Sequence, residues 1–215
     1  THDQVELTRL ELALGKVARE RHHPEAQPGP PGKVFGQVRH HDELGVIARA
    51  MEDFKDGLLI DALTGALTRN AFEKRFATYL QQHANARLAL VFVDLDRFKA
   101  VNDAHGHAVG DAVLAVAAQR IAAELRRDDV LARFGGDEFV LLLPEIASDD
   151  ALNAQLDRLA TALDAEIAVA GVTVHAGGSC GGALYPRDGD SLDALLHVAD
   201  GRMYEAKKRR AMREV

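Results

Sequence analysis

The sequence predicts an α+β domain of ferredoxin-like type, a sheet with helices on one face, preceded by a helical segment. Three observations carry this. From Asp61 onward, apolar runs of strand length alternate with stretches of helical period, in the order β-α-β-β-α-β. Two short apolar runs, Val130–Phe134 and Phe139–Leu143, flank a Gly-Gly pair. Before Asp61, apolar residues step by three and four, with no strand-like run between them. The chain has 215 residues, 47% hydrophobic and 27% charged, enough for one core and an appendage. The boundary falls at the end of the last helical seam, giving residues 1–58 and 59–215 as the two parts.

The first part opens with Leu7, Leu10, Leu14 and Val17, a short amphipathic helix. Pro24, Pro28, Pro30 and Pro31, with Gly29 and Gly32, then break regular structure. Leu44, Ile47, Met51, Phe54 and Leu58 step 3-4-3-4. A helix of about 18 residues is marginal alone in water, and pairing through this seam would stabilise it. The spacing is nearer 3.5 than 3.6, which favours pairing with a second copy over packing on its own domain. A homodimer through these helices is therefore expected. His22-His23 and His40-His41 lack the i, i+4 spacing of a helical metal site, and no cysteine joins them. They read as solvated loop histidines.

The second part runs as follows. A helix covers about 71–82, with Phe72, Phe76 and Leu80 on one face. Leu88–Val93 is a continuous apolar run, which suits a strand buried on both faces. An Ala-rich helix spans roughly 110–126, and another, about 151–165, carries Leu152, Leu156, Leu159 and Leu163. Two strands surround Gly177-Gly178 and end at Tyr185-Pro186. A last helix starts at Ser191 and passes Met203 and Tyr204.

Net charge is −7, which leaves no basic surplus for a nucleic acid. A small nucleotide remains compatible, because a pocket can be cationic within an acidic protein. The single Cys180 excludes an internal disulfide and fits a reducing, cytoplasmic compartment. No run reaches transmembrane length and no signal peptide is visible, so no membrane segment is expected in this chain. Thr1 in place of methionine reads as the start of a fragment or processed chain, which leaves a segment upstream open.

Acidic residues cluster at two strand ends. Leu88–Val93 runs into Asp94-Leu95-Asp96, where 94 and 96 share one face of a strand. Paired carboxylates there are costly unless a cation or a donor meets them. Glycine reaches φ > 0 without strain, so Gly135-Gly136 reads as the centre of a tight turn. That turn presents Asp137 and Glu138 at an exposed tip. An ordinary acidic turn is the bland alternative. Carboxylates from two adjacent strands are how Mg²⁺ is usually held, and the implied chemistry is metal-assisted phosphoryl or nucleotidyl transfer.

Gly135-Gly136-Asp137-Glu138-Phe139 resembles the signature of the GGDEF domains, the diguanylate cyclases. Asp61-Ala62-Leu63-Thr64-Gly65 is similar to that family's opening D-x-L-T-G, and Asp94 to Asp103 to its D-x-D-x-F-K-x-x-N-D. Gly106-His107, Gly110-Asp111, Ser179-Cys180-Gly181, Ala199-Asp200, Met203-Tyr204 and Ala206-Lys207 match its later blocks. The resemblance implies a palm-like core that condenses two GTP into cyclic di-GMP and two pyrophosphates. It implies that Asp94 and Asp137 hold Mg²⁺, or Mn²⁺ in its place, with the Leu95 carbonyl assisting. Glu138 would complete the metal site or help deprotonate the attacking hydroxyl. Asp94, Asp137 and Glu138 are thus the expected catalytic set.

Asn102 and Asp111 would read guanine, since an amide and a carboxylate complement its O6 acceptor and its N1–H and N2–H donors. Their alternatives are a helix cap and an N-terminal helix charge. The Arg97-Phe98-Lys99 stretch would meet the β- and γ-phosphates through backbone amides, with Lys207 as a point charge. One departure stands out. The family's K-x-x-G-R-N is here Lys207-Lys208-Arg209-Arg210-Ala211-Met212, so the second phosphate-binding cation is alanine. Arg209 or Arg210 is a candidate substitute.

Arg126-Arg127-Asp128-Asp129 is similar to the family's R-x-x-D inhibitory site, where Arg126 and Asp129 would bind cyclic di-GMP as an allosteric inhibitor. Its alternative is a charged helix C-terminus. The segment 1–58 resembles a HAMP relay, with a generic coiled coil as the alternative, which suits the cytoplasmic part of a bacterial membrane receptor. A GGDEF domain of weak or no activity, serving as a GTP or cyclic di-GMP sensor, is the competing function.

Overall fold

A computed structural model describes residues 59–213. The seam Leu44–Leu58, the first helix and the histidine-flanked connector lie outside the described residues. Strand β1 (Leu67–Thr68) leads into helix α1 (Arg69–Gln82), then β2 (Leu88–Leu95), α2 (Phe98–His105) and α3 (His107–Ala123). The hairpin β3 (Val130–Gly135) and β4 (Glu138–Pro144) follows, then α4 (Asp149–Asp164). The chain closes with β5 (Ile167–Val169), β6 (Val172–Val174), β7 (Gly178–Tyr185) and α5 (Leu192–Arg213).

Five strands form one sheet in the order β1-β3-β4-β2-β7. β2 is antiparallel to both neighbours, β4 and β7, and β1 runs parallel to β3. The alternation along β2 explains the layers. Ala89, Val91, Val93 and Leu95 point into a core shared with Val113, Leu114 and Ile121 of α3 and Leu152, Leu159 and Leu163 of α4. Leu88, Leu90 and Phe92 point into a second core with Phe72 and Phe76 of α1 and Leu195, Ala199 and Met203 of α5. Helices therefore cover both faces, where one covered face was expected. A strand apolar on both sides needs cover on both sides.

Three local features also differ from expectation. The residues after β2 form a separate short helix, α2, and Gly106, at φ 83°, divides it from α3. The strand before Gly177-Gly178 does not join the main sheet. It pairs with β5 across Ala170 and Gly171, both at positive φ, to make a separate hairpin. In the acidic hairpin, the turn is centred on Gly136-Asp137 rather than Gly135-Gly136. A bulge lies between Arg133 and Gly135, and Gly135 pairs with Glu138. Only Gly136 of the two glycines has positive φ, 49°. Phe134, released at the bulge, sets its ring edge-on to Phe72 at 5.4 Å. No helix among the described residues is long and apolar enough to cross a membrane.

Candidate active site

The antiparallel register of β2 and β4 sets Asp94 directly opposite Glu138. Opposite residues of such a pair share a face, and this is the face covered by α1 and α5. Asp137 sits in the adjoining turn, and its carbonyl accepts from the Leu95 amide at 3.3 Å. Sheet pairing thus brings Asp94, Leu95, Asp137 and Glu138 to one end of the central strand. Burial, then the charge of Asp94, pushes the Asp137 carboxyl above its ordinary range. Partial desolvation, then Asp94, Asp137 and Asp200, does the same to Glu138, while Arg69 pulls the other way. Mutual repulsion of this kind is relieved by a cation.

One cation is already there. Lys207 of α5 donates through Nζ to Asp94 Oδ1. Burial disfavours its ammonium, but the bond to Asp94 and the charges of Asp94, Asp96 and Asp137 raise its affinity for the proton. Among the described residues, no three carboxylate, histidine or cysteine side chains are gathered tightly enough to form a ready metal cage. The donors nevertheless suit a hard divalent ion in kind, being carboxylate and carbonyl oxygens that repel one another.

Asp96 does not share this duty. β2 ends at Leu95, and the Asp96 side chain accepts from Ser179 Oγ at 2.8 Å and lies 3.4 Å from Arg210 Nε. Arg210 also pairs with Asp164. Its guanidinium is therefore committed to two carboxylates, which weakens the idea that it substitutes for a phosphate-binding cation.

Arg97 takes a left-handed conformation, φ 59°, and turns the chain into α2. No side chain caps that helix, so the amides of its first turn, beginning at Phe98 and Lys99, lack an intrahelical or capping partner. Such a terminus suits an anion. The Arg97 and Lys99 side chains are exposed.

Asn102 lies inside α2, not at its end, so it is not a cap by its side chain. Its Oδ1 is buried without a hydrogen-bond partner. Gly110 of α3 packs on it so closely that any Cβ there would collide with that oxygen. Asp111 follows, exposed, beyond the first turn of α3. An orphaned buried acceptor demands an explanation, and a bound donor supplies one.

Arg126 lies just beyond the end of α3, two residues past its C-cap Glu124. Its amide donates to Asp129 Oδ2 at 2.8 Å. Burial raises the Asp129 carboxyl against this hydrogen bond. A cavity of about 290 Å³, lined by Arg75, Tyr79, His83, Arg126 and Asp129 among others, opens beside the pair. Strand β3 separates it from the acidic turn.

Two supports of the site were not foreseen. Arg133 donates through Nε and Nη2 to the Gly136 carbonyl, at 3.0 and 2.8 Å, and through Nη1 to Asp61 at 3.3 Å. Burial opposes ionisation of Asp61, but hydrogen bonds from Thr64 and the charge of Arg133 hold its carboxyl below the ordinary range. The D-x-L-T-G stretch thus braces the turn. Arg69, over the Phe134 ring at 5.2 Å, is the second.

The doubly covered sheet thus carries Asp94, Asp137, Glu138 and Lys207 at one end of its central strand. The chain belongs to the GGDEF family: the family described as diguanylate cyclase, GGDEF domain, matches residues 58–213. It is 45% identical over 152 residues to the diguanylate cyclase TpbB of Pseudomonas aeruginosa, covering 69% of this chain and 35% of that protein. The chain therefore spans about a third of that curated relative's length. The solved GGDEF domain of TpbB superposes with TM-score 0.65 at 43% identity, covering 70% of this chain and 89% of that one. A sensory box/GGDEF family protein of Caulobacter crescentus does so with TM-score 0.65 at 37% identity, covering 70% and 99%.

Proposed function

We propose that this chain is a Mg²⁺-dependent diguanylate cyclase that condenses two GTP into cyclic di-GMP and two pyrophosphates. The observation that carries this is the β2–β4 register, which sets Asp94 opposite Glu138 and beside Asp137. When bound there, the metal supplies Lewis-acid polarisation of the α-phosphate and charge relief for the leaving pyrophosphate. Asp94, Asp137 and Glu138, with the Leu95 carbonyl, would hold it. Lys207 and the amides at Phe98 and Lys99, beside Arg97, take the terminal phosphates. Asn102 and Asp111 take the guanine edge. The 3′-hydroxyl of each nucleotide attacks the α-phosphorus of the other, so two domains must face each other. Pairing through residues 1–58, whether HAMP-like or a plain coiled coil, would bring domains spanning 59–215 together. GTP supply implies a cytoplasmic site of action.

Incubation of the chain with GTP and Mg²⁺ tests this directly. Cyclic di-GMP with two pyrophosphates per molecule is the expected product. GTP binding with no product would favour the sensor reading instead. Ala211, where the family carries a cation, and the commitment of Arg210 to Asp96 and Asp164 are the observations on that side.

The guanine assignment has its own test. Gly110→Ala should displace the Asn102 amide without removing it. Loss of one or two well-placed hydrogen bonds predicts a KM for GTP raised about 10- to 100-fold. Steady-state kinetics read this, and an unchanged KM would remove Asn102 from the base site.

Feedback is proposed at Arg126 and Asp129. One end of β3 carries these residues and the other the acidic turn, on the order of 15 Å away at strand rise. Product held there does not compete directly with GTP. Arg126→Ala should keep its initial rate and lose the plateau as cyclic di-GMP accumulates. Arg127→Ala is the control. Equal sensitivity of wild type and Arg126→Ala to added cyclic di-GMP would refute the assignment.

A further inference from the structure

Two carboxylates lie two residues apart at the end of β2, and two cations lie three residues apart on α5. Lys207 meets Asp94, and Arg210 meets Asp96. Both acids are largely covered, with 16% and 14% of their side chains exposed. One Asp96 oxygen takes the Ser179 hydroxyl, while Oδ2 is buried without a hydrogen bond and has Arg210 Nε at 3.4 Å. Arg210 is itself anchored on a third element. It pairs with Asp164 at the end of α4, and its guanidinium packs against Gly177, where a Cβ would approach it to 2.7 Å. The family motif K-x-x-G-R-N has glycine at this place.

We propose that Arg210 is a positioning residue: it satisfies Asp96, and so keeps Lys207 committed to Asp94 and to the phosphates of a bound nucleotide. This rests on reading the site as a GTP site. Asp94 and Asp96 compete for the Lys207 ammonium. Lys207 already feels the charges of both Asp94 and Asp96. A buried carboxylate that loses its cation draws in another within reach, because leaving it unpaired is strongly unfavourable. Without Arg210, the Lys207 ammonium turns toward Asp96, away from Asp94 and the phosphate end. Arg210 thus serves nucleotide binding without contacting the nucleotide, through its contact with Asp96.

The test uses the full chain and 3′-deoxy-GTP with Mg²⁺, which lacks the attacking hydroxyl and cannot turn over. Guanosine serves as a ligand without phosphates. Arg210→Met should weaken 3′-deoxy-GTP about 10-fold, as expected for one misplaced charged contact, and leave guanosine binding unchanged. Asp96→Asn added to Arg210→Met removes the competing charge and should restore 3′-deoxy-GTP binding to the wild-type level. Arg210→Lys should retain it. A purely structural role would weaken both ligands together, and that result overturns the proposal. So does a folded double variant that fails to recover binding; this arm decides the matter alone if Arg210→Met does not fold. Wild type that binds no 3′-deoxy-GTP would instead overturn the GTP reading, and the positioning role with it.

Discussion

Asp137→Asn is expected to abolish turnover, by at least about 10³-fold, while leaving the fold intact and more stable than wild type at neutral pH. The substitution keeps shape and removes one of the crowded charges. The stability gain follows from the direction of the shift. Burial and the Asp94 charge raise the folded-state pKa of Asp137 above its unfolded value. Ionisation then costs more in the folded chain than in the unfolded one, so wild-type stability falls as pH rises through the carboxylate range to the raised value. Below the unfolded value that penalty is absent. The melting temperature of Asp137→Asn should therefore exceed that of wild type at pH 7, without divalent metal, and the difference should vanish on acidification. Mg²⁺ should close the gap from the other side by stabilising wild type alone. Near-normal cyclic di-GMP production by the variant would refute the metal role. A lower melting temperature would refute the repulsion.

The second large effect is structural. Gly181→Ala should cost at least about 3 kcal/mol, the upper range for overpacking a core. Gly181 of β7 faces the backbone of α5. A Cβ there would strike the Met203 amide nitrogen and the Ala199 carbonyl oxygen, and would come within 2.7 Å of the Arg202 carbonyl carbon. Backbone atoms of a helix cannot step aside as a side chain does. The helix would have to lift, carrying Lys207 away from Asp94. Denaturant unfolding measures the loss. A variant within 1 kcal/mol of wild type, by the ordinary scale of surface changes, would show that α5 can shift cheaply. Gly181 entered the sequence reading only as part of a motif, and its close approach to α5 is the physical reason for glycine there.

What the sequence conveyed, and what it hid, divides by the range of the forces involved. The strand expected over Leu88–Val93, which runs on to Leu95, was legible because an unbroken apolar run leaves few alternatives, but the cover on both faces that its two-sided burial requires was not drawn from it. The acidic cluster was legible because strand ends and a glycine turn locate side chains by short-range rules. The turn's true centre was not. The bulge that moves it from Gly135-Gly136 to Gly136-Asp137 releases Phe134 toward Phe72 and Phe92, partners from other elements. Helix α2 was hidden because it begins at a left-handed Arg97, where local rules would ask for glycine. The brace between Asp61 and Arg133 joins residues 72 apart, and neither position announces the other. Asn102 and Gly110 were both noted, but their contact belongs to packing rather than pattern.

The two halves of the acidic site differ in compliance. Asp94 closes a strand gripped by β4 along one edge, β7 along the other, and a hydrophobic core on each face. A segment held on four sides opens only with the whole domain, so Asp94 is a fixed reference point. Asp137 hangs from a two-residue turn at the end of a hairpin, steadied by the Arg133 guanidinium on its carbonyl neighbour and by the Leu95 amide on its own carbonyl. One jaw of the site is stiff and the other is sprung. Mechanical tuning of the spacing between the carboxylates therefore meets least resistance from the hairpin side, through the turn and its one backbone bond to the central strand.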